Sequence, residues 1–265
     1  MQSFDLTLVA GPPGVGKTTW ISQFLKDASR SLFYLHPGAQ ESVDLAWIGY
    51  GFPWVSIISD DRAATVLTDL PDQAQVFIEL GFHLDLKSPF LAALPGRRIA
   101  IVPPGLEKSE WHDWADEVIP SNHSQALDAD KLSTIWKSPL TGQVFDPPSL
   151  DGVLIELTGG AYGQVMRLKG IFEMPDGQAF YVDFVEGLPG IEYTELKLPR
   201  WLQGRPDRFS GLEIVGHSLE QKTIAQTLLA SCLADDVLFQ YQRQYQQLQS
   251  EAETIQAETE QGVVV

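Results

Sequence analysis

The sequence is poor in cysteine, in positive charge and in long apolar runs. Cys232 is the single cysteine among 265 residues, which excludes an intramolecular disulfide framework and favours a reducing compartment. Acidic residues number 35 against 18 basic ones, and the formal net charge of −17 repels phosphate backbones and anionic lipids. No run of about eighteen apolar residues occurs, and no leader-like segment opens the chain. We therefore expect a cytoplasmic protein with no nucleic-acid partner and no membrane partner.

An apolar segment near the amino end leads directly into a glycine-rich loop. Residues 4–10 have the composition of a buried strand, and the sequence GPPGVGKT follows at residues 11–18. Backbone N–H groups of such a loop surround phosphates, the lysine contacts the β and γ phosphates, and the threonine hydroxyl binds Mg²⁺. The residues expected to bind a nucleoside triphosphate are Gly11, Pro12, Pro13, Gly14, Val15, Gly16, Lys17, Thr18 and Thr19.

The alternative interpretation of this segment is a glycine-rich turn between a strand and a helix. Ile21, Phe24 and Leu25 supply an apolar stripe that would seat the following helix on a sheet. Because strand, loop, Lys-Thr pair and amphipathic helix agree, the pattern favours a nucleotide site.

Further apolar runs of strand length follow at residues 31–36, 52–59, 74–80 and 98–102. Continuous apolar runs of this length are typical of a parallel sheet buried on both faces. We therefore predict an α/β fold in which a phosphate-loop domain with a parallel sheet and flanking helices occupies residues 1–120.

Glu79 is the second candidate for chemistry, because it ends the apolar run of residues 74–80. Phosphate-loop enzymes keep an acid there, next to the loop and its Mg²⁺. Glu79 and Lys17 are thus the predicted catalytic residues, and Thr18 and Glu79 the predicted magnesium ligands. The alternatives are that Glu79 only caps a strand, or that Asp60 and Asp61 lie beside the metal. Polar residues near Glu79 are Gly81, His83 and Asp85.

The segments GPPGVGKTTWISQFL (11–25) and VFIELGFHLDL (76–86) resemble the phosphate loop and Glu-containing strand of the CobW-type GTPases, a metallochaperone-related family. Residues 165–187 and 210–233 resemble its small C-terminal domain. The resemblance implies binding of GTP, or else ATP, with Mg²⁺, slow hydrolysis, and a metalloprotein client in metal homeostasis or cofactor maturation.

The sequence also departs from that family. Residues 37–75 contain no cysteine, so the C-x-C-C metal motif is missing, and no N-K-x-D motif is present to select guanine. Glycine follows Glu79 one residue earlier than in the family's E-x-x-G motif. A transition-metal site would depend on isolated histidines such as His36 and His83, which are more often packing or surface residues.

Beyond a predicted linker at residues 121–162, the pattern changes to alternating strands. Two strands joined by a hairpin at Asp176-Gly177, followed by two more strands and a helix, predict an α+β domain over residues 163–234. The apolar face of the helix is predicted to contain Ile224, Leu228, Leu229 and Cys232.

Residues 235–265 are rich in glutamine and predict a helical tail. Apolar residues from Leu238 to Ile255 are spaced by three and four, which is a heptad seam. The seam could mediate self-association, bind a partner helix, or pack against its own protein.

Three functional classes remain open at this point. The first is a magnesium-dependent GTPase of the CobW type. The second is a reduced relative that binds nucleotide and acts as a regulatory or interaction module without hydrolysis or metal transfer. The third is an ATP-dependent kinase, which is disfavoured because residues 106–150 contain no arginine for a lid.

Overall fold

The computed structural model describes residues 4–39, 41–82, 84–121 and 134–262, with side chains described as far as residue 251. The chain divides into two compact units, Met1–Ser133 and Thr134–Val265. Within the described residues, no helix is both long enough and apolar enough to cross a membrane.

The first unit is a six-stranded, fully parallel sheet with the strand order β3-β2-β4-β1-β5-β6. Its strands are β1 (Asp5–Ala10), β2 (Leu32–Leu35), β3 (Ser56–Ile58), β4 (Gln75–Glu79), β5 (Arg97–Val102) and β6 (Glu117–Pro120). Its helices are α1 (Lys17–Ser22), α2 (Val43–Gly51), α3 (Asp60–Thr68), α4 (Pro89–Ala93) and α5 (Glu110–Trp114). The predicted α/β fold with a parallel sheet is confirmed.

Both faces of this sheet are buried, which explains the continuous apolar runs. Successive side chains of a strand point to opposite faces. Leu8 of β1 and Ile78 of β4 lie in one apolar cluster, while Val9 and Phe77 from the same strands lie in another. The two clusters hold the central strands β1 and β4 rigidly side by side.

Strand β1 lies where the direction of sheet growth reverses. From β1 the chain crosses to β2 and β3 on one side, returns to place β4 directly beside β1, and then adds β5 and β6 on the other side. In open parallel sheets, the crevice at the carboxyl ends of the strands around such a reversal is where ligands bind. The glycine-rich loop after Ala10 is therefore at the expected position for a ligand site.

The run at residues 52–59 forms a much shorter strand than its apolar length suggests. Phe52 instead terminates α2 by donating its N–H to the Ile48 carbonyl, and a turn to Val55 follows. Pro53 has no N–H to give to a ladder, which favours this turn. Only Ser56–Ile58 pairs with β2.

The second unit is a five-stranded antiparallel sheet with the order β10-β9-β8-β11-β7. Its strands are β7 (Thr134–Pro139), β8 (Gln164–Glu173), β9 (Ala179–Val185), β10 (Glu192–Glu195) and β11 (Gly211–His217). Its helices are α6 (Pro147–Thr158), α7 (Gln221–Ala230) and α8 (Asp235–Gly262).

One face of this second sheet is apolar and the other carries charges. Leu212 and Ile214 of β11 lie in the core cluster with side chains of α6 and α7. Glu213, between them in sequence, points to the opposite face and pairs with Lys137 and Lys169. This alternation is typical of an antiparallel sheet covered by helices on one side.

The predicted linker at residues 121–162 needs correction over its second part. Strand β7 pairs with β11, and α6 begins at Pro147 with the Asp146 carboxylate accepting the Ser149 N–H as its cap. The apolar residues of α6 are in the core because they recur at helical spacing behind a proline that starts the helix.

The burial of individual side chains tests the predicted apolar face of α7 and the predicted packing of α8. On α7, Ile224 and Leu228 are buried as predicted, but Leu229 is exposed and Cys232 follows the end of the helix. On α8, Leu238 is buried and Gln242 exchanges hydrogen bonds with the Gly204 backbone. The first turns of the tail thus pack against their own unit.

Candidate functional site

The glycine-rich loop follows β1 and turns on glycines with positive φ. Gly11, Gly14 and Gly16 have φ angles of 147°, 78° and 86°, and Gly16 caps the start of α1. A methyl group on Gly11 would lie 2.1 Å from the Ile101 carbonyl oxygen of β5, so the loop passes directly against the neighbouring strand. Only glycine meets both conditions at position 11.

Lys17 folds back over this loop. Its ammonium Nζ donates to the carbonyl oxygens of Gly11 at 3.0 Å and Pro12 at 3.1 Å, and its side chain is buried. A buried ammonium needs acceptors, and these two carbonyls supply them. The charge is therefore held inside the loop, where phosphate oxygens could take the place of the carbonyl oxygens.

Glu79 lies beside the loop at the end of β4. Strand β4 pairs with β1 so that Glu79 is opposite Val9, two residues before the loop begins. Thr18 donates its hydroxyl to Glu79 Oε1 at 3.0 Å, and Tyr34 of β2 donates its hydroxyl to Oε2 at 2.8 Å. Both carboxylate oxygens of this buried acid are thereby bonded to neutral hydroxyl groups.

The Thr18–Glu79 pair fits a magnesium ion. Mg²⁺ prefers oxygen ligands at about 2.0–2.1 Å in an octahedron, so adjacent ligands lie about 2.9 Å apart. The Thr18 and Glu79 oxygens are separated by 3.0 Å in the structure. Neither a thiolate nor an imidazole is needed for such a site, and a hard cation suits it better than zinc.

The other acids considered from the sequence lie elsewhere. Asp60 and Asp61 are in the first turn of α3, where negative charge stabilises a helix, and Asp60 accepts the Gly38 N–H. Asp85 accepts the Lys87 N–H in a turn. His83 lies outside the described residues.

Metal-binding groups other than the Thr18–Glu79 pair are sparse. Within the residues that the structure describes, no group of three or more His, Cys, Asp and Glu side chains lies close enough together to hold a metal ion. Burial raises the pKa of Cys232 to about 11, which keeps this side chain a thiol at neutral pH.

Tyr34 is the residue that the sequence patterns did not identify. It is fully buried within the apolar run of β2, where its ring packs in the core of the first unit. A buried tyrosine hydroxyl usually requires a partner, and this requirement is the signal that could have pointed to it. That this partner is Glu79 could not be predicted, because the contact requires β2 and β4 to be neighbours in the sheet.

Comparisons with known proteins gave a matching family model and similar solved structures. Residues 140–233 match the family model of the cobalamin synthesis protein cobW C-terminal domain. Among solved structures, the Zn(II)-bound YjiA GTPase from E. coli is similar at 12% identity and a TM-score of 0.30, over 87% of this chain and 99% of that chain. A Zn(II)-bound triple mutant of YjiA GTPase gives 13% identity and a TM-score of 0.31 over the same shares. No curated protein matches the sequence.

The family match covers most of the second unit and begins before the predicted start of the domain at residue 163. Likeness to solved structures at such low TM-scores carries no activity over to this chain. The identification therefore depends on the matched segment, which contains α6, the central strands and α7. Residues 140–233 are similar to the CobW C-terminal domain, which confirms the predicted resemblance to the CobW-type family.

Proposed function

We propose that residues 1–120 bind a nucleoside triphosphate with Mg²⁺ through Gly11 to Thr19. The observation that carries this proposal is the hydrogen bond from Thr18 to Glu79, which joins the end of the glycine-rich loop to the strand beside it. A glycine-rich turn without a ligand would not need a buried acid at that position. Lys17, held in the loop by two carbonyl oxygens, supports the same conclusion.

Each residue has a distinct part in the proposed complex. Backbone N–H groups of the loop and the Lys17 ammonium would bind the phosphate oxygens. Thr18 and Glu79 would hold Mg²⁺, which neutralises charge on the β and γ phosphates when bound. By resemblance to CobW-type proteins, the nucleotide is GTP in preference to ATP, hydrolysis is slow, and a metalloprotein client is served.

A second candidate function is nucleotide binding without hydrolysis. Thr18 and Tyr34 each donate to one oxygen of Glu79, so two hydroxyl groups fix the orientation of the carboxylate beside the loop. An acid in this arrangement can anchor a metal ion and the loop without acting as a base. Such an anchored acid is compatible with a regulatory or interaction module that binds nucleotide without hydrolysing it.

The test is equilibrium binding of GTP and of ATP with Mg²⁺ to the wild-type protein, to Lys17→Ala and to Lys26→Ala as a matched control. Lys26 is an exposed lysine beyond α1. We expect Lys17→Ala to weaken triphosphate binding by roughly 100-fold, since it loses charge-assisted hydrogen bonds to phosphate. Lys26→Ala should leave the affinity unchanged.

Equal affinity of Lys17→Ala and wild type would refute the phosphate-loop assignment. Phosphate release from the same samples separates the two candidate functions. If Glu79→Gln slows release more than it weakens binding, Glu79 acts in hydrolysis. Tight, Lys17-dependent binding with no release from the wild type would instead establish the module without hydrolysis.

A further inference from the structure

The second unit contains an apolar groove of about 570 Å³ that no part of the proposed nucleotide site uses. It is bordered by α8, by the amino end of α6 and by the hairpin strands. We call it the tyrosine groove, and its main apolar walls are Met174, Phe180, Tyr193, Tyr241, Tyr245 and Leu248. Its volume is within the range of about 300–1,000 Å³ that is usual for ligand sites.

The floor of the tyrosine groove continues the core of the second unit. Phe180 lies two residues before Val182 on β9, on the same face of the sheet, and Val182 is fully buried in the core. Tyr193 of β10 is paired directly opposite Val182. The groove is therefore the part of the core-side sheet face that α6 and α8 leave uncovered.

The apolar stripe of α8 changes from buried to exposed as it passes the groove. Leu238 is 2% exposed, whereas Tyr241 and Leu248 on the same stripe are 46% and 62% exposed. Tyr193, on the opposite wall, is 45% exposed. Large apolar side chains left in water on facing walls mark a binding surface, because covering them contributes about 25 cal/mol per Å².

The walls are held in place without an occupant. Tyr193 donates its hydroxyl to Asp151 of α6 at 2.6 Å. The Arg200 guanidinium lies over the Tyr245 ring, 4.6 Å from its centroid, and also pairs with Asp176 at 2.6 Å. Because these side chains are already fixed, less conformational entropy is lost when a ligand binds.

The rim of the tyrosine groove is acidic. Asp151 and Asp176 are among the described lining residues, and Glu195, two residues after Tyr193 and on the same face of β10, accepts a hydrogen bond from the lining residue Gln178. Arg200 offsets Asp176, while the other two carboxylates have no arginine or lysine among the ion pairs of the described residues. A partner that brings positive charge to this rim is favoured over one that brings negative charge.

The dimensions favour an extended peptide over a compact ligand. Tyr241 and Leu248 are seven residues apart, which is about 10 Å along a helix at 1.5 Å per residue. An extended chain that covers both walls needs at least about four residues at 3.3 Å each. Aromatic walls lined by tyrosine suit proline and leucine side chains in such a chain.

We propose that the tyrosine groove binds an extended segment of another protein, with apolar side chains against the tyrosines and an adjoining lysine or arginine on the acidic rim. All of its lining residues belong to the second unit, so its binding can be tested without nucleotide.

The probe is a fluorescein-labelled peptide of about eight residues with alternating leucine and proline and lysines at both ends, which would span the groove at 3.3 Å per residue. Fluorescence anisotropy with the full-length protein should give a Kd in the micromolar range. We expect the double variant Tyr241→Ser, Leu248→Ser to weaken binding at least tenfold. The matched control is Phe239→Ser, which removes a side chain that is 59% exposed on α8 but does not line the groove.

Circular dichroism must show that each variant remains folded, which the exposure of all three side chains favours. A glutamate-flanked peptide that binds as tightly as the lysine-flanked one would overturn the charge assignment. Binding that is unchanged in the double variant, or absent for the wild type, would overturn the site. A protein dimer that dissociates in the double variant but not in Phe239→Ser would identify a second copy of the chain as the occupant and also overturn the proposal.

Discussion

Each unit buries a glutamate at the carboxyl end of a central strand, and the two carboxylates have different kinds of hydrogen-bond donor. Glu79 in the first unit is bonded by two hydroxyl groups. Glu173 in the second is bonded through both oxygens to the guanidinium of Arg208, at 2.6 and 2.7 Å. A hydroxyl can share its acceptor with a metal ion, whereas a paired guanidinium holds it permanently.

The different partners distinguish Glu79, which lies in the candidate site, from Glu173, which has a structural role. Arg208 also donates to the carbonyl oxygens of Pro199 and Gly177, so the Glu173 pair fastens the loop after β10 to the hairpin. Glu79 has no such cationic partner among the described residues, and it lies beside a loop whose carbonyl oxygens at Gly11 and Pro12 accept from Lys17. Burial of an acid alone therefore does not indicate function, but the charge of its partners does.

Among the variants that test this comparison, we expect Arg208→Ala to cause the largest loss of stability. Removing the guanidinium leaves a buried carboxylate without its partner, which should cost about 3–5 kcal/mol of unfolding free energy. The double variant Glu173→Gln, Arg208→Ala should recover part of this loss because it contains no buried charge. Urea denaturation of the three proteins measures both values, and an additive double variant would contradict the structural role.

The same variant should show a defined pH dependence. Burial raises the pKa of Glu173 above its usual value of 4.5, and Arg208 opposes that rise. In the Arg208→Ala variant, the pKa of Glu173 should rise further because the opposing charge is gone. Below the unfolded-state pKa the carboxyl is protonated in both states and carries no penalty, so the stability deficit should be smallest there and grow as pH rises through the folded-state pKa. A deficit that is constant with pH would contradict this cause.

An intermediate effect is expected at Gly11 in the first unit. A side chain there would meet the Ile101 carbonyl oxygen, so Gly11→Ala should cost about 3 kcal/mol and abolish triphosphate binding. Gly105→Ala is the matched control, because Gly105 also has a positive φ but open space around it. Its cost should be about 1 kcal/mol. Equal costs for the two variants would show that the close approach to β5 is unimportant.

The smallest effect is expected from Tyr34→Phe, which removes only a hydroxyl. Glu79 Oε2 would lose its donor at a cost of about 1–2 kcal/mol. Because Thr18 remains in place, we expect magnesium-dependent nucleotide binding to weaken by less than tenfold. Isothermal titration with and without Mg²⁺ measures this change. A loss as large as that of Lys17→Ala would mean that Tyr34 is part of the nucleotide site itself.

The sequence could predict features that depend on neighbouring residues. Strand β1, the glycine-rich loop and the hairpin at Asp176-Gly177 were predicted near their observed positions, because turn chemistry and apolar runs are local. Glu79 was identified by its place at the end of an apolar run. The hydrogen bond between Thr18 and Glu79 confirms that the two side chains meet, while their role in a complex stays a prediction.

Features built from distant segments could not be predicted in the same way. Tyr34 reaches Glu79 only because β2 and β4 are neighbours in the sheet. Strand β7 is weakly patterned, since its side chains are all partly or fully exposed, and only its pairing with β11 defines it. The tyrosine groove combines α6, α8 and two hairpin strands, and no local motif describes such a combination.

The position of β7 also determines where the second unit can be cut from the chain for separate expression. A fragment that begins at residue 163 would lack β7 and α6, so β11 would become an exposed edge and the core would lose four buried side chains of α6. At roughly 1.5–3 kcal/mol for each buried aliphatic side chain, that loss of about 6–12 kcal/mol is comparable to the whole stability of a typical domain. A fragment that begins at Thr134 retains all five strands of the sheet, so we expect the second unit to fold by itself from this residue onward but not from residue 163.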